Sequence, residues 1–365
     1  TVFEVPPGVM GPLDDHRFLF VADIGPTGLD RGEGGKYLLL PPGYEGDVPD
    51  GYFVLQAETY CNFSFIRANA DVVGSGDKAL EFYREHAKIY PLSEGPRPPV
   101  VKNITGLPWN SLVPEDANAF EWMHEIIDYE PAEAFGRELL GRLASLGIEK
   151  GKPFDPDARL QGIFEKAAQQ GVAMSRVIAF DCRDDEAVVY PNRRWESPYV
   201  TNNSTFYRDD HIALEARTVF HFTADGITPA MAAQMPEGKG SRYQTTYKDA
   251  DGNYFDGAKT YKVHMPPEVP VALFWSVTVY DAWTRCELQS QPYPTVSSQS
   301  DPAPETNPDG SVDIYFAASQ PDGVPAENWI KVLPDRGFFV YIRYYGPLNA
   351  FNDKTWVPND VELLA

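Results

Sequence analysis

The sequence contains little cysteine, and none of it in closely spaced pairs. Its three cysteines, Cys61, Cys182 and Cys286, stand more than 100 residues apart in a chain of 365 residues. The Cys-X-X-Cys spacing of zinc and redox motifs is therefore absent, and the odd number leaves at least one thiol unpaired. Disulfides are thus not expected to form the framework of this fold.

Long apolar runs and an excess of basic residues are absent as well. The best apolar stretches, at 271–275 and 338–342, are far shorter than the roughly 18 residues that a membrane-spanning helix needs. Acidic residues outnumber basic ones by 53 to 31, which gives a formal net charge of −22. Because this charge repels phosphate backbones, we predict no nucleic-acid partner. The short apolar runs predict that the chain contains no membrane span.

The motifs of several enzyme classes are also missing. The sequence has no glycine-rich nucleotide-binding pattern, no HExxH and no GxSxG. The glycine-rich stretch 32–35 precedes an apolar strand, so we interpret it as a turn and not as a phosphate cradle. The six histidines form no i,i+4 pair, and His211, beside Asp209 and Asp210, is the one that we single out as a candidate base.

What the sequence does contain favours β-structure. Aromatic residues make up 13% and there are 33 prolines, a composition typical of strands joined by short irregular connections. Alternation with period two predicts strands at 242–247, 260–265, 272–280, 312–316 and 338–344. Helical spacing predicts three helices within 114–170 and a further one at 209–222, where threonine and valine leave a strand as the alternative.

These patterns predict an α+β protein, mainly β with a helical insertion. We divide the chain into an N-terminal β-rich domain at 1–100, a helical region and connector at 101–208, and a C-terminal β-sandwich domain at 209–365. The boundaries follow the change from period two to helical spacing and back.

One loop spaces oxygen-bearing side chains at alternate positions around Gly252, as calcium prefers. Thr260 stands where the twelfth-position Glu of a calcium loop would be, so a hairpin that caps its own turn is the alternative. Calcium is the one cofactor that the sequence suggests. The candidate ligands are Asp249, Asp251, Asn253 and Asp256.

Aromatic, basic and acidic residues gather on the C-terminal strands. By the two-residue period, Arg343 shares a strand face with Phe339 and Tyr341, where only a partner would make its burial tolerable. Asp281, or a carboxylate on a ligand, is the partner that we expect. The candidate set on these strands is Trp275, Tyr280, Asp281, Trp329, Arg343 and Tyr345.

A similar cluster lies in mid-chain, at Arg193, Arg194, Trp195 and Glu196. Arginine and tryptophan together suit the recognition of an anionic or planar substrate. For each arginine taken singly, a structural ion pair beneath a domain junction is the alternative. Together with the C-terminal strands, this cluster predicts a pocket.

Several ordered blocks of sequence carry a family resemblance. One group of blocks is 34–44 (GGKYLLLPPGY) and 49–52 (PDGY). The other group is 249–252 (DADG), 274–281 (FWSVTVYD), 309–313 (DGSVD), 328–329 (NW) and 343–347 (RYYGP). The chain resembles, over nearly its whole length, a bacterial family that joins domain of unknown function 1254 to domain of unknown function 1214.

This resemblance implies two jelly-roll-like β-sandwich units with a helical region between them. It also implies frequent export, so we expect a periplasmic or secreted bacterial protein. Family members usually carry further strands of the first sandwich before the point where this sequence begins, so we expect upstream strands. The resemblance transfers no established reaction, cofactor or catalytic residue.

Two functions are consistent with these residues. The first is an exported hydrolase of a small anionic or sugar-like substrate, in which Asp281 or Glu196 is the base and Tyr280 donates to a developing oxyanion. Arg343 and Arg193 would hold substrate charge, and the pocket would be lined by Trp195, Trp275, Trp329 and Tyr345. The alternative is a non-enzymatic protein that binds carbohydrate or assembles into a homo-oligomer through its sheets.

Overall fold

The computed structural model describes residues 1–69, 75–97, 100, 102–104, 107 and 112–364. The chain divides into two compact units. The first unit comprises Thr1–Met174 and Asp225–Thr228, and the second comprises Ser175–Ala224 and Pro229–Ala365. Helices and antiparallel or mixed sheets occur in both, so the protein is α+β, as the sequence predicts.

The first unit is built on short strands. They are β1 (Val2–Val5), β2 (Val9–Asp15), β3 (Phe20–Ile24), β4 (Gly35–Leu40), β5 (Phe53–Gln56), β6 (Asn62–Ser64), β7 (Arg67–Ala68) and β8 (Lys88–Tyr90). One sheet has the order β5-β4-β1-β8, and the other has the order β3-β2-β6 with β7 also pairing with β2. Val5, Val9, Ile24 and Tyr37, from strands of both sheets, share one buried cluster, which makes this unit sandwich-like.

The glycine-rich stretch before β4 is a turn, as predicted. Gly34 has a φ of +75°, and a Cβ at this position would lie 2.6 Å from the carbonyl oxygen of Val5. Only glycine meets both requirements without strain. The turn delivers the chain into β4, where Tyr37, Leu38 and Leu40 are buried.

Helices follow the strands of the first unit. They are α1 (Gly76–His86), α2 (Asn118–Tyr129), α3 (Arg137–Ala144) and α4 (Ala158–Phe180), the last of which ends within the second unit. Ser75 caps α1 by accepting a hydrogen bond from the backbone N–H of Lys78. At the start of α4, the carboxylate of Asp157 accepts a hydrogen bond from the N–H of Leu160 at 2.7 Å and caps the helix.

The second unit holds the remaining strands and three short helices. Its strands are β9 (Tyr207–Arg208), β10 (His211–Ile212), β11 (Ser241–Thr246), β12 (Tyr261–Met265), β13 (Val271–Asp281), β14 (Thr295–Ser297), β15 (Val312–Ala317), β16 (Trp329–Lys331), β17 (Phe338–Pro347) and β18 (Glu362–Leu363). Its helices are α5 (Leu214–Thr223), α6 (Pro229–Ala232) and α7 (Asn349–Asn352). The helix expected at 209–222 starts only at Leu214, because β9 and β10 form a hairpin whose turn places Asp209 at a φ of +51°.

Two sheets of the second unit pack face to face, in the orders β11-β17-β13-β14 and β16-β15-β12-β18. Their shared core includes Val263 of β12, Val277 of β13 and Phe316 of β15. The two faces of β17 differ as the two-residue period predicts: Val340 and Ile342 enter this core, whereas odd-numbered residues face away. We call the second face, which packs on Phe180 of α4 and Phe222 of α5, the helix-covered face.

The described helices bear on one further prediction. None of them combines the length and the apolar composition that crossing a bilayer requires.

Candidate functional site

The predicted pair of Asp281 and Arg343 does not form. In the β13–β17 ladder, Asp281 lies opposite Phe338 and Arg343 lies opposite Ser276, so five residues of strand, about 17 Å, separate the two. They also occupy opposite faces of the sheet, since Phe338 points into the sandwich core. The expectation that Asp281 neutralises Arg343 is therefore wrong.

Asp281 has structural partners instead. Its carboxylate accepts hydrogen bonds from the backbone N–H groups of Trp283 and Thr284, at 2.7 and 2.8 Å. The other oxygen accepts from Nη1 of Arg336 at 3.1 Å. A buried carboxylate with this set of donors holds the turn that follows β13.

Tyr280 and Arg343 do come together, on the helix-covered face. Arg343 donates from Nη1 to Oγ1 of Thr278 at 2.6 Å and from Nη2 to the hydroxyl oxygen of Tyr280. Its guanidinium also lies 5.5 Å from the centre of the Tyr280 ring. Within the described part of the chain, no carboxylate lies within ion-pair distance of Arg343, so its hydrogen bonds go to neutral hydroxyl groups.

Glu196 is the predicted catalytic residue with the most unusual electrostatics. Its backbone pairs with Thr245 through two hydrogen bonds of 2.8 Å, and Thr245 lies opposite Tyr341, so Glu196 also belongs to the helix-covered face. Burial raises the pKa of Glu196 to about 7, although Lys248 opposes the shift. A carboxyl group with this pKa can give and take protons near neutral pH. Glu196 is not next to Arg343, however. It pairs with the edge strand β11, and β11 lies between Glu196 and β17, the strand of Arg343.

The predicted tryptophans are enclosed or dispersed. Trp195 has no exposed surface, and its indole N–H donates to the carbonyl of Asn359 at 3.0 Å, so the prediction that it contacts a ligand is corrected to a core role. Trp275 lies in the same core. Trp329 is half-buried and donates to the carbonyl of Ala317 at 3.0 Å.

The remaining predicted ligand contacts do not join these residues in one pocket. Arg193 is exposed. The half-buried ring of Tyr345 stacks on Phe274, with ring centres 4.1 Å apart. Neither of the two cavities described below is lined by Arg193, by Tyr345 or by any of these three tryptophans.

The predicted calcium loop has the geometry of a self-capped hairpin. Asp249 is buried and accepts from the N–H of Asn253 at 2.8 Å, while Asp256 accepts from the N–H of Ala258 at 3.0 Å. Asp251 is exposed, and Gly252 has the positive φ of +88° that the turn requires. One carboxylate oxygen each of Asp249 and Asp256 is thus bound to the loop's own backbone, which favours the alternative stated for this loop.

A cavity of about 430 Å³ lies beside the edge strand β11, in a region that the sequence did not single out. Apart from Arg242 and Lys354, its lining is rich in amides and hydroxyl groups. We call it the Arg242 cavity. Its polar lining residues are Glu186, Ser197, Asn202, Gln234, Arg242, Tyr243, Gln244, Asn352 and Lys354.

Arg242 reaches this cavity without a charged partner. It donates from Nη1 to the carbonyl of Ala232 at 2.8 Å and from Nη2 to Oδ1 of Asn202 at 2.9 Å. Among the described residues, no carboxylate lies within ion-pair distance of it, and burial lowers the pKa of its guanidinium. The only sequence signal for this site is a strand that opens on Ser241-Arg242 with no acidic neighbour, and that signal is weak.

A second cavity, of about 310 Å³, has an aromatic lining. Trp283 and Tyr254 contribute to it and keep 63% and 55% of their surfaces exposed. Arg176 lies 4.6 Å from the centre of the Trp283 ring and donates to the carbonyl of Ala282. We call this space the aromatic cavity.

The fold of the second unit is that of a β-sandwich with polar and aromatic cavities, and comparisons place the chain in a family. A model described as "Protein of unknown function (DUF1254)" matches residues 1–91, and one described as "Protein of unknown function (DUF1214)" matches residues 240–349. The chain belongs to the family that joins these two domains, in the order that the sequence blocks predict.

A solved structure from Vibrio parahaemolyticus shares the fold at low sequence identity. The VPA0106 protein from Vibrio parahaemolyticus is similar at 17% identity with a TM-score of 0.54, over 100% of this chain and 85% of that chain. An uncharacterized protein from Burkholderia cenocepacia matches at 14% identity with a TM-score of 0.28, over 68% of this chain and 50% of that chain. A search of curated proteins found no match.

Proposed function

We propose that the second unit binds a small anionic or hydroxyl-rich molecule in the Arg242 cavity. The observation that carries this proposal is that, among the described residues, Arg242 donates only to neutral oxygens, those of Ala232 and Asn202. A guanidinium has five N–H donors, and an oxyanion matches its planar fork better than a carbonyl or an amide does. A half-buried arginine of this kind is suited to take its counter-charge from a ligand.

The surroundings of Arg242 support an anion over a cation. Lys354 adds a second positive charge to the lining. The carboxylate of the lining, Glu186, accepts from Nη2 of Arg208 at 2.9 Å, so its charge is already balanced. In a protein with a net charge of −22, a cavity with this lining is a local site of attraction for anions.

The amide side chains support a hydroxyl-rich ligand. Asn202, Gln234 and Asn352 offer both donors and acceptors to the cavity. Gln244 is fixed in place, since it donates to the hydroxyl of Tyr190 at 2.9 Å and accepts from the hydroxyl of Tyr344 at 3.1 Å. The volume falls within the range of small-molecule sites, roughly 300–1,000 Å³.

Hydrolysis in this cavity would require a general base there. Glu196, with its pKa of about 7, lies on the helix-covered face, whereas the next residue, Ser197, lines the Arg242 cavity. Successive residues of an extended chain point to opposite sides. The candidate base Glu196 therefore points away from the cavity that Ser197 lines. We therefore propose binding, and hydrolysis stays a prediction of the sequence.

A second candidate function is saccharide binding in the aromatic cavity. The exposed rings of Trp283 and Tyr254 favour it, because large aromatic faces with polar edges suit ligands that are partly apolar and partly hydrated. This corresponds to the carbohydrate-binding alternative from the sequence.

We also propose export and self-association. Export is supported by the family resemblance, and self-association by strands such as β14 and β16 that end their sheets.

One set of variants tests both cavities. Isothermal titration of the full chain with phosphate, small dicarboxylates and monosaccharides should detect an anion that binds at least about tenfold more weakly to Arg242→Ala. Trp283→Ala should keep that affinity and lose saccharide binding instead. Exposed Arg193 supplies the matched control, since Arg193→Ala should bind like the wild type.

The outcome that contradicts the Arg242 cavity is equal anion affinity in the wild type and in Arg242→Ala. If Arg242→Ala does not fold by circular dichroism, Asn352→Ala supplies the test. It removes a hydrogen-bonding group from the lining and leaves the arginine in place. Unchanged anion affinity in a folded Asn352→Ala variant would also end the proposal, and so would a wild-type chain that binds none of these anions.

A further inference from the structure

Three side chains with different donor atoms meet in the first unit, far along the chain from one another. They are His16, which follows β2, Cys61, which precedes β6, and Glu130, which ends α2. A ring nitrogen of His16, the Sγ of Cys61 and a carboxylate oxygen of Glu130 all lie within 4.8 Å of one another. We call these residues the His-Cys-Glu cluster.

The sheet places two of the three residues opposite each other. The β2–β6 ladder pairs Leu13 with Ser64 and Asp15 with Asn62, so its next position brings His16 opposite Cys61. Thr59 reinforces this arrangement, because its hydroxyl accepts from the N–H of His16 at 3.0 Å and donates to the carbonyl of Cys61 at 2.7 Å. Side chains directly opposite on one sheet face are within reach of a shared ligand.

Glu130 is held rigidly beneath the other two. It has no exposed surface, and its carboxylate accepts from the N–H groups of Tyr60 and Cys61, at 2.5 and 3.0 Å. Nδ1 of His16 lies 2.6 Å from Oε1 of Glu130. These contacts fix one carboxylate oxygen next to the imidazole and the thiol.

The cluster is buried at its base and accessible at its rim. The His16 side chain is 31% exposed and Cys61 is exposed, whereas Glu130 is enclosed. An ion held by all three residues would therefore keep one face toward solvent. Zinc sites that carry out chemistry have three protein ligands and an open position of this kind.

The cluster is poorly arranged for a nucleophilic cysteine. A carboxylate oxygen of Glu130 lies within 4.8 Å of the Cys61 Sγ and would repel a thiolate there. A thiolate is the reactive form, so a neighbouring carboxylate opposes nucleophilic attack. A divalent cation reverses this effect, since it draws both the thiolate and the carboxylate toward itself.

We propose that His16, Cys61 and Glu130 bind a zinc-like divalent cation with one coordination position open to solvent. One nitrogen, one sulfur and one oxygen donor form a set that favours zinc over calcium or magnesium. A thiolate and a carboxylate together balance the charge of the ion. On binding, the thiol releases its proton to solvent, and His16 coordinates through a ring nitrogen that carries no proton.

The distances require only a local adjustment. Bonds of about 2.0 Å to nitrogen and oxygen place these two atoms about 3.3 Å apart at a tetrahedral angle. The present 2.6 Å between Nδ1 of His16 and Oε1 of Glu130 would lengthen, while the sulfur, now within 4.8 Å, would approach. The partly exposed side chains of His16 and Cys61 have the freedom to make these movements.

Titration of the metal-free full chain with cobalt(II) tests the site directly. We expect one equivalent to bind with the near-ultraviolet charge-transfer band of a thiolate–cobalt bond, and zinc to displace it. Cys61→Ser should abolish the band, and His16→Asn should weaken zinc binding by at least about 100-fold, as the loss of a ligand exceeds the 10–100-fold effect of a supporting residue. Cys182→Ser and His211→Asn are the matched controls and should bind like the wild type.

Two results would overturn this site. One is a wild-type chain that binds no cobalt or zinc at one equivalent. The other is a charge-transfer band that survives Cys61→Ser or disappears in Cys182→Ser, which would place the metal elsewhere. Glu130 also accepts hydrogen bonds from two backbone N–H groups, so Glu130→Gln would change stability as well as metal binding. Substitutions of Cys61 and His16 therefore test metal binding more directly.

Discussion

At the scale of single residues, Glu196 links burial to pH dependence. Its pKa is raised from the ordinary value of 4.5 to about 7, chiefly by burial. The folded state therefore holds a proton that the unfolded chain releases at lower pH. Stability contributed by this protonated group is present below about pH 4.5 and is lost as the pH rises toward 7.

Replacing Glu196 with glutamine should remove this loss of folding stability at rising pH. A difference of about 2.5 pKa units corresponds to at most about 3 kcal/mol, so Glu196→Gln should be more stable than the wild type at pH 8 and little changed at pH 4.5. Urea unfolding at both pH values measures the effect. Exposed Asp322 gives the control, since Asp322→Asn should follow the wild-type profile. A Glu196→Gln variant with wild-type pH dependence would show that the carboxyl titrates normally.

The residue scale also shows what sequence patterns miss. Trp195 and Arg193 belong to one short segment and look alike as ligand contacts, yet one is fully buried and the other is exposed. Burial depends on which distant elements cover a position, and a local pattern holds no information on that. Arg242 was overlooked for the converse reason, because the cavity around it is assembled from separate segments.

At the scale of elements, Trp195 anchors its segment in the core, and the contribution of this anchor to stability can be measured. Trp195→Ala should lower the free energy of unfolding by roughly 3–5 kcal/mol, because it removes a large enclosed ring and a hydrogen bond to Asn359. Arg193→Ala, two residues away and exposed, should change it by less than about 0.5 kcal/mol. Chemical denaturation compares the two. Similar losses in both variants would contradict the assignment of Trp195 to the core.

The strands of the second unit show how far element prediction reaches. Alternation predicted β13 and β17 and the two faces of β17, because side-chain direction follows directly from a two-residue period. Register is different, since it depends on turns and on the partner strand. The prediction that Asp281 meets Arg343 failed on register: the ladder sets these residues five positions apart.

The His-Cys-Glu cluster could not be predicted from the sequence either, because its residues come from two strand ends and a helix end.

At the scale of the whole molecule, charge is the dominant feature. The formal net charge of −22 leaves many carboxylates without basic partners, so they repel one another across the surface. Salt weakens this repulsion, since the screening length falls from about 30 Å at 0.01 M to about 8 Å at 0.15 M. Specific surface ion pairs, such as Arg142 with Glu138, are weakened by the same screening, but each contributes little.

The balance between these two effects predicts the response to salt. We expect the melting temperature to rise by about 2–5 °C between 0.01 and 0.15 M sodium chloride, because general repulsion involves far more charges than the exposed pairs do. Calorimetry at pH 7.5 measures this, and a neutral osmolyte at the same osmolarity is the control. A melting temperature that falls with salt would mean that paired charges, and not the excess of acid, decide the electrostatic stability of this chain.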